Sequence, residues 1–324
     1  MNVNKSVTAK ILEEIIKQSP DQKNPVKSLT KILSMSIETA YRRIRNQIPF
    51  TIEEVIIIAK YFNLSIDELL GLKSDNLLFN KDFNIEQNPI DIYSDLLRDD
   101  IEFIEKLLGS TYVKISAAVN RIPFRFLPHK SLFKLEYCHY MYSMGKIPFI
   151  STHYSDIELP PAINDLHDLL AARFSRLKNI ICIVDNVLYS DVIKKIQYYQ
   201  QLRFFSAEDL QLLQSELFDV LEGYENMLRN GKNSSGSDYV FYYSLFNLEA
   251  NLVFIEYDNE SLLQFWMYPE SQIVIRNNQL IGDIQKRWID SKIRNSIIIT
   301  KTSDIQHIEI LRNLYQQISD LMKG

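Results

Sequence analysis

Glycine is scarce in this chain, at 8 of 324 residues. So little glycine leaves small scope for the loops that cradle phosphates, and it suits a chain rich in helix. Cysteine is rarer still: Cys138 and Cys182 are too few for a disulfide framework or a four-thiolate zinc site. Long apolar runs are missing, since no stretch approaches the about 18–20 residues that a membrane-spanning helix needs. The opening MNVNKSVTAK has no apolar core of a secretory signal. G-x-x-x-x-G-K-[S/T], H-E-x-x-H and G-x-S-x-G are all absent, so no catalytic motif suggests an enzyme. The resulting expectation is a reduced, cytoplasmic protein that is not an enzyme, needs no cofactor or metal and has no membrane partner.

What is present is an ordinary globular composition, 46% hydrophobic and 24% charged, sufficient for a sizeable core. The length suggests two or three domains. The formal net charge is −5, but its distribution is uneven: residues 1–73 carry a net +3 and the remainder a net −8. A mildly basic head on an acidic body suggests that only the head approaches a polyanion.

The head reads as five short helices. Ser6 can cap the first, whose apolar positions Val7, Ile11, Leu12, Ile15 and Ile16 recur at helical spacing. Asn24 followed by Pro25 starts the second, which runs through Leu33. Ser36 starts the third, and Thr51 with Glu54 forms a capping box ahead of VIIIAKYF. Ser65 opens a last helix ending near Gly71.

The third helix holds the densest positive cluster, Arg42, Arg43 and Arg45. At about 100° per residue, Ile37, Ala40, Tyr41 and Ile44 fall in one arc suited to a core-facing stripe. Glu38, Arg42 and Arg45 gather opposite, flanked by Thr39 and Arg43. Like-charge crowding of this kind is mildly unfavourable in an isolated helix and becomes useful beside a polyanion. Arginine can also grip phosphate, or O6 and N7 of guanine, with two parallel hydrogen bonds.

The stretch SLTKILSMSIETAYRRIRNQIPFTIEEVIIIAKYFNLSIDELLGL resembles the lambda-repressor/Cro-type (XRE-like) helix-turn-helix domain of bacterial transcriptional regulators. Leu29 and Leu33 match the apolar positions of the first motif helix, Met35 the turn, and Ser36 and Thr39 the start of the recognition helix. The likeness covers about residues 7–72 and departs from the pattern at Ser34 and Thr30, where glycine and alanine are usual. It implies base reading by Ile37, Glu38, Thr39 and Arg42, and contacts to backbone or bases by Tyr41, Arg43 and Arg45. It also implies a phosphate facing the amides near Val26 and Lys27, with Lys27 a backbone contact. The family register places Arg43 where a buried aliphatic normally sits, whereas periodicity selects Ile44. The expectation follows periodicity, because an unpaired buried guanidinium would cost several kcal/mol.

Residues 73–89, KSDNLLFNKDFNIEQNP, read as a polar linker. Residues 90–230 read as a helical domain, including a helix capped by Ser206 and Asp209 that ends at Gly231. NGKNSSGSD (230–238) reads as a flexible break. Residues 231–324 then read as an α+β region, with YVFYYSLF, NLVFIEY and SLLQFWMY as strands of a small antiparallel meander, a helix near 279–291, a strand SIIIT and a final helix capped by Ser303. The expected fold class is therefore multidomain and mostly α.

The body offers little chemistry. Cys138–His139 and Cys182 read as core. His153, Asp156 and His167 could formally form a two-histidine, one-carboxylate metal set, but IELPPAIND interrupts their spacing. Arg276, Lys286, Arg287 and Trp288 could bind an anionic effector or pair with nearby acids, with base rates favouring pairing. The functional expectation is a sequence-specific regulator binding double-stranded DNA as a homodimer, its body serving self-association or sensing of a small-molecule or protein effector. The alternative is a protein-interaction adaptor whose head no longer binds DNA.

Overall fold

The computed structural model describes residues 8, 11–12, 25–62, 88–147, 152–249, 251–267, 271–276, 279–302 and 305–322. The chain divides into two compact units, Met1–Leu77 and Leu78–Gly324. Several expected features lie outside the described residues: the caps Ser6, Asn24 and Ser303, the helix from Ser65, and the linker apart from its last two residues.

In the first unit, α1 spans Pro25–Leu33, α2 Ile37–Ile44 and α3 Ile52–Phe62. Thr8, Ile11 and Leu12 are helical as well. Ile11, Leu29, Ala40, Val55, Ile58 and Ala59 form a small core, three of them from α3. The capping box at α3 is present: Thr51 N donates to Glu54 Oε2 at 2.8 Å, and Glu54 N donates to Thr51 Oγ1 at 3.3 Å.

The second unit departs from the expected fold class. Its centre is one seven-stranded mixed sheet, not a small antiparallel one. The elements are α4 (Pro89–Gly109), β1 (Val113–Val119), α5 (Lys130–Ser143), α6 (Pro161–Phe174), β2 (Ile180–Val184), α7 (Ser190–Gln201), α8 (Ala207–Asn230), β3 (Tyr239–Ser244), β4 (Leu252–Tyr257), β5 (Glu260–Met267), β6 (Ser271–Arg276), α9 (Gln279–Arg294), β7 (Ser296–Ile298) and α10 (Ile305–Ser319). The strand order is β6-β5-β4-β1-β2-β3-β7. β1, β2 and β3 are parallel, and each of the other strands runs antiparallel to its neighbour.

Two of the three parallel strands come from residues 90–230, the segment expected to be a helical domain. That segment and residues 231–324 therefore build one sheet within one unit. NIICIV is a short continuous apolar run, the pattern of a strand buried on both faces, which periodicity does not separate from a core helix. Alternation along β4 shows both faces covered. Val253, Ile255 and Tyr257 join the large core with α4–α8 and α10, while Leu252 and Phe254 join a smaller one with Ile289 of α9.

The expected flexible break at 230–238 is instead a hydrogen-bonded turn into β3. Asn233 Oδ1 accepts from the amides of Ser235 (3.0 Å) and Ser237 (2.9 Å), and Asn233 Nδ2 donates to the Ser175 carbonyl at 2.7 Å. The α8 boundaries match expectation. Ser206 and Asp209 form a reciprocal capping box, and Gly231 ends the helix at φ 67°.

Candidate nucleic-acid interface

α2 begins at Ser36, whose extended backbone and side-chain oxygen cap it by accepting from Thr39 N at 3.2 Å. The Thr39 hydroxyl lies 2.9 Å from Ser36 Oγ, so Thr39 helps build the helix start. At the far end, Asn46 takes a left-handed conformation at φ 57°, and its Oδ1 accepts from Thr8 Oγ1 at 3.1 Å. Both ends of α2 are thus held by short polar contacts.

The rotation of α2 differs from the one periodicity suggests. Ala40 and Arg43 are the buried residues of the helix, and Ile44 is half-buried. Ile37 is 64% exposed and Tyr41 46% exposed, so neither belongs to a core-facing stripe. Arg43 turns inward: its Nη2 donates to Glu54 Oε1 at 2.7 Å and its guanidinium lies 5.8 Å from the centre of the Phe50 ring. The desolvation argument against burying Arg43 assumed an unpaired guanidinium, and Glu54 supplies the partner. Glu54 uses one carboxylate oxygen to cap α3 and the other to hold Arg43. The clue in the sequence was the family register itself, together with an acid at Glu54 that the capping box already fixes in place.

Of the residues expected to touch DNA, Lys27, Glu38, Arg42 and Arg45 are exposed, as are Ile37 and Tyr41. Ile37, Glu38, Tyr41, Arg42 and Arg45, with Gln47, line one open concavity. Lys27 lies on α1 and outside that lining, and Thr39 is half-buried at the cap. Arg43 is buried and does not belong to the surface. The Arg45 guanidinium sits 5.6 Å from the centre of the Tyr41 ring, an arrangement that narrows its range of orientations. Charge therefore concentrates on one side of α2 without an intervening carboxylate other than Glu38.

The body residues are placed as follows. Cys138 is buried, and desolvation pushes its thiol up to about 12, far from a nucleophile's range. His139 Nδ1 is paired with the Tyr199 hydroxyl. His167 is fully buried, stacked on Phe133 at 3.8 Å between ring centres, with Nε2 2.8 Å from the Leu127 carbonyl. Among the described residues no group of three or more His, Cys, Asp or Glu could hold a metal ion. Lys286 pairs with Glu256 at 2.7 Å, Arg276 lies over Phe103 and Lys292 over Trp288. None of the described helices is long and apolar enough to cross a membrane.

A helix, a short turn and a second, capped helix that projects guanidinium groups outward are the parts of a helix-turn-helix DNA-binding domain. The model of one protein family, the BetR domain, matches residues 3–109, and that family is of the helix-turn-helix DNA-binding type. The match covers about a third of the chain and ends with the last residue of α4. No curated protein and no solved structure matches the chain.

Proposed function

We propose that this chain is a cytoplasmic bacterial transcriptional regulator that reads specific double-stranded DNA through α2, in the manner of the lambda-repressor/Cro-type class. The observation that carries the proposal is the outward projection of Glu38, Arg42 and Arg45 into one concavity while Arg43 is held inside by Glu54. One such helix makes few base contacts, so two copies reading symmetric half-sites about one helical turn apart would supply the selectivity. The acidic body supports self-association away from phosphate, and it is the candidate for sensing a small-molecule or protein effector. The chain acts by binding, with no catalytic role.

The test is binding of the full chain to random and selected duplexes across a salt series. A DNA reader loses affinity steeply, by a slope of about −0.9 per phosphate neutralised. The competing reading, a protein-interaction adaptor, draws on the exposed apolar side chains of Ile37 and Tyr41. An adaptor would bind neither duplex even at low salt.

A further inference from the structure

Ile37 and Tyr41 stand one helical turn apart, so they form a row along α2. Glu38 and Arg42 form a second, parallel row, also one turn long. All four side chains line the same concavity. The Arg43–Glu54 pair holds α2 in the rotation that turns the apolar row out, although hydrophobicity alone would turn it in. Two apolar side chains are thus kept in water beside two guanidinium groups. The flanking Arg42 and Arg45 make a negatively charged, groove-forming polymer the partner that complements the surface. Within a DNA major groove the apolar group that meets such a row is the thymine 5-methyl, while arginine suits guanine and a carboxylate the cytosine amino group.

We infer that Ile37, walled by the Tyr41 ring, forms a subsite for thymine methyl groups, so that the chain separates thymine from uracil and cytosine at the base it faces. The inference rests on the DNA-reading proposal and adds the chemistry of the half-site. Along the helix, one turn advances about 5.4 Å, against about 3.4 Å per base step. The polar row, with Arg42 toward guanine and Glu38 toward cytosine, therefore reads base pairs within one or two steps of the thymine. The apolar row uses no hydrogen bond, so its contribution is the removal of a methyl group and of Ile37 from water.

The experiment starts with the full-length protein and a pool of random duplexes, from which bound sequences are selected. Each thymine of the resulting site is then replaced, one at a time, by deoxyuridine, which removes only the methyl. The expected result is a loss of about fourfold at one or two positions, the fold-change for exposing about one methyl group. The same replacement should leave the affinity of Ile37→Ala unchanged, because that variant has already lost the contact. Uracil tolerated at every position, a selected site without thymine, or equal uracil sensitivity in wild type and Ile37→Ala would each overturn the inference while leaving the regulator intact. A pool that yields no preferred sequence removes the DNA-reading proposal itself, and this subsite with it. The wild-type arm needs no altered protein, so a folding defect in the variant cannot imitate either outcome.

Discussion

Ser34 closes the turn between α1 and α2 in the left-handed region, at φ 50°. A side chain there carries a steric penalty of about 1–2 kcal/mol that glycine escapes. Ser34→Gly should therefore raise the stability of the first unit by about 0.5–1 kcal/mol, after the unfolded-state entropy that glycine adds. Thermal or urea unfolding of the two proteins measures it, and a lower midpoint for the glycine variant would contradict it. The turn itself was legible in the sequence, because Ser34 and Met35 lie between an apolar helix end and a Ser-capped helix start. Its positive φ was not read from the sequence; the glycine usual at this position in the family was the available signal. Arg43 was legible in the opposite sense: its identity suggested a surface, and only its partner eleven positions on explains its burial.

At the scale of elements, α2 and α3 are joined by the Arg43–Glu54 pair, whose side chains are 10% and 18% exposed. Removing one partner strands the other, so Glu54→Ala should destabilise the first unit by about 3–5 kcal/mol, the range for broken buried pairs. Part of that loss comes from the missing cap on α3. The double variant Arg43→Met/Glu54→Gln keeps the volume and a capping oxygen, and should recover most of the stability. Unfolding midpoints of the single and double variants measure this, and a double variant as unstable as Glu54→Ala would refute the pairing argument. The caps Ser36, Thr51, Glu54, Ser206 and Asp209 were all readable from short-range pattern, since capping acts over three or four residues. The rotation of α2 was not. An eight-residue helix has barely two turns over which an apolar stripe can declare itself, and one ion pair outweighs it.

Across the whole molecule, two imidazoles of the second unit, the buried His167 and the half-buried His129, are biased toward the neutral form by desolvation. Burial lowers the His167 pKa below the ordinary histidine value, and burial lowers that of His129 as well. A lowered folded-state pKa means the unfolded chain binds more protons as the solution acidifies. Stability from these residues is therefore complete above the unfolded value, about 6.5, and is lost progressively as pH falls toward the lower folded values. Unfolding of the full chain between pH 7.5 and 5 should show this decline, and His167→Gln should flatten it. A wild-type stability that rises as pH falls through about 6.5 would contradict the assignment. The strands β3, β4 and β5 were visible as aromatic, β-branched runs, but only β4 and β5 pair as the expected meander, because β1 and β2 separate β3 from them. The parallel strands β1 and β2 were not visible, because their pairing joins segments about sixty residues apart in sequence. Nothing local announces such contacts, so the seven-stranded sheet was underestimated.

The account as a whole stands on α2 presenting Arg42 to base edges. The most direct measurement is the affinity of full-length wild type and of Arg42→Ala for the selected duplex and for a scrambled duplex at one salt concentration. The expected result is a loss of about 1–3 kcal/mol in discrimination between the two duplexes, with affinity for the scrambled one little changed. Lys27→Ala, by contrast, should weaken both duplexes alike. Equal losses on both duplexes for Arg42→Ala would make Arg42 a phosphate contact, and wild-type protein that binds neither duplex at low salt would contradict the account outright.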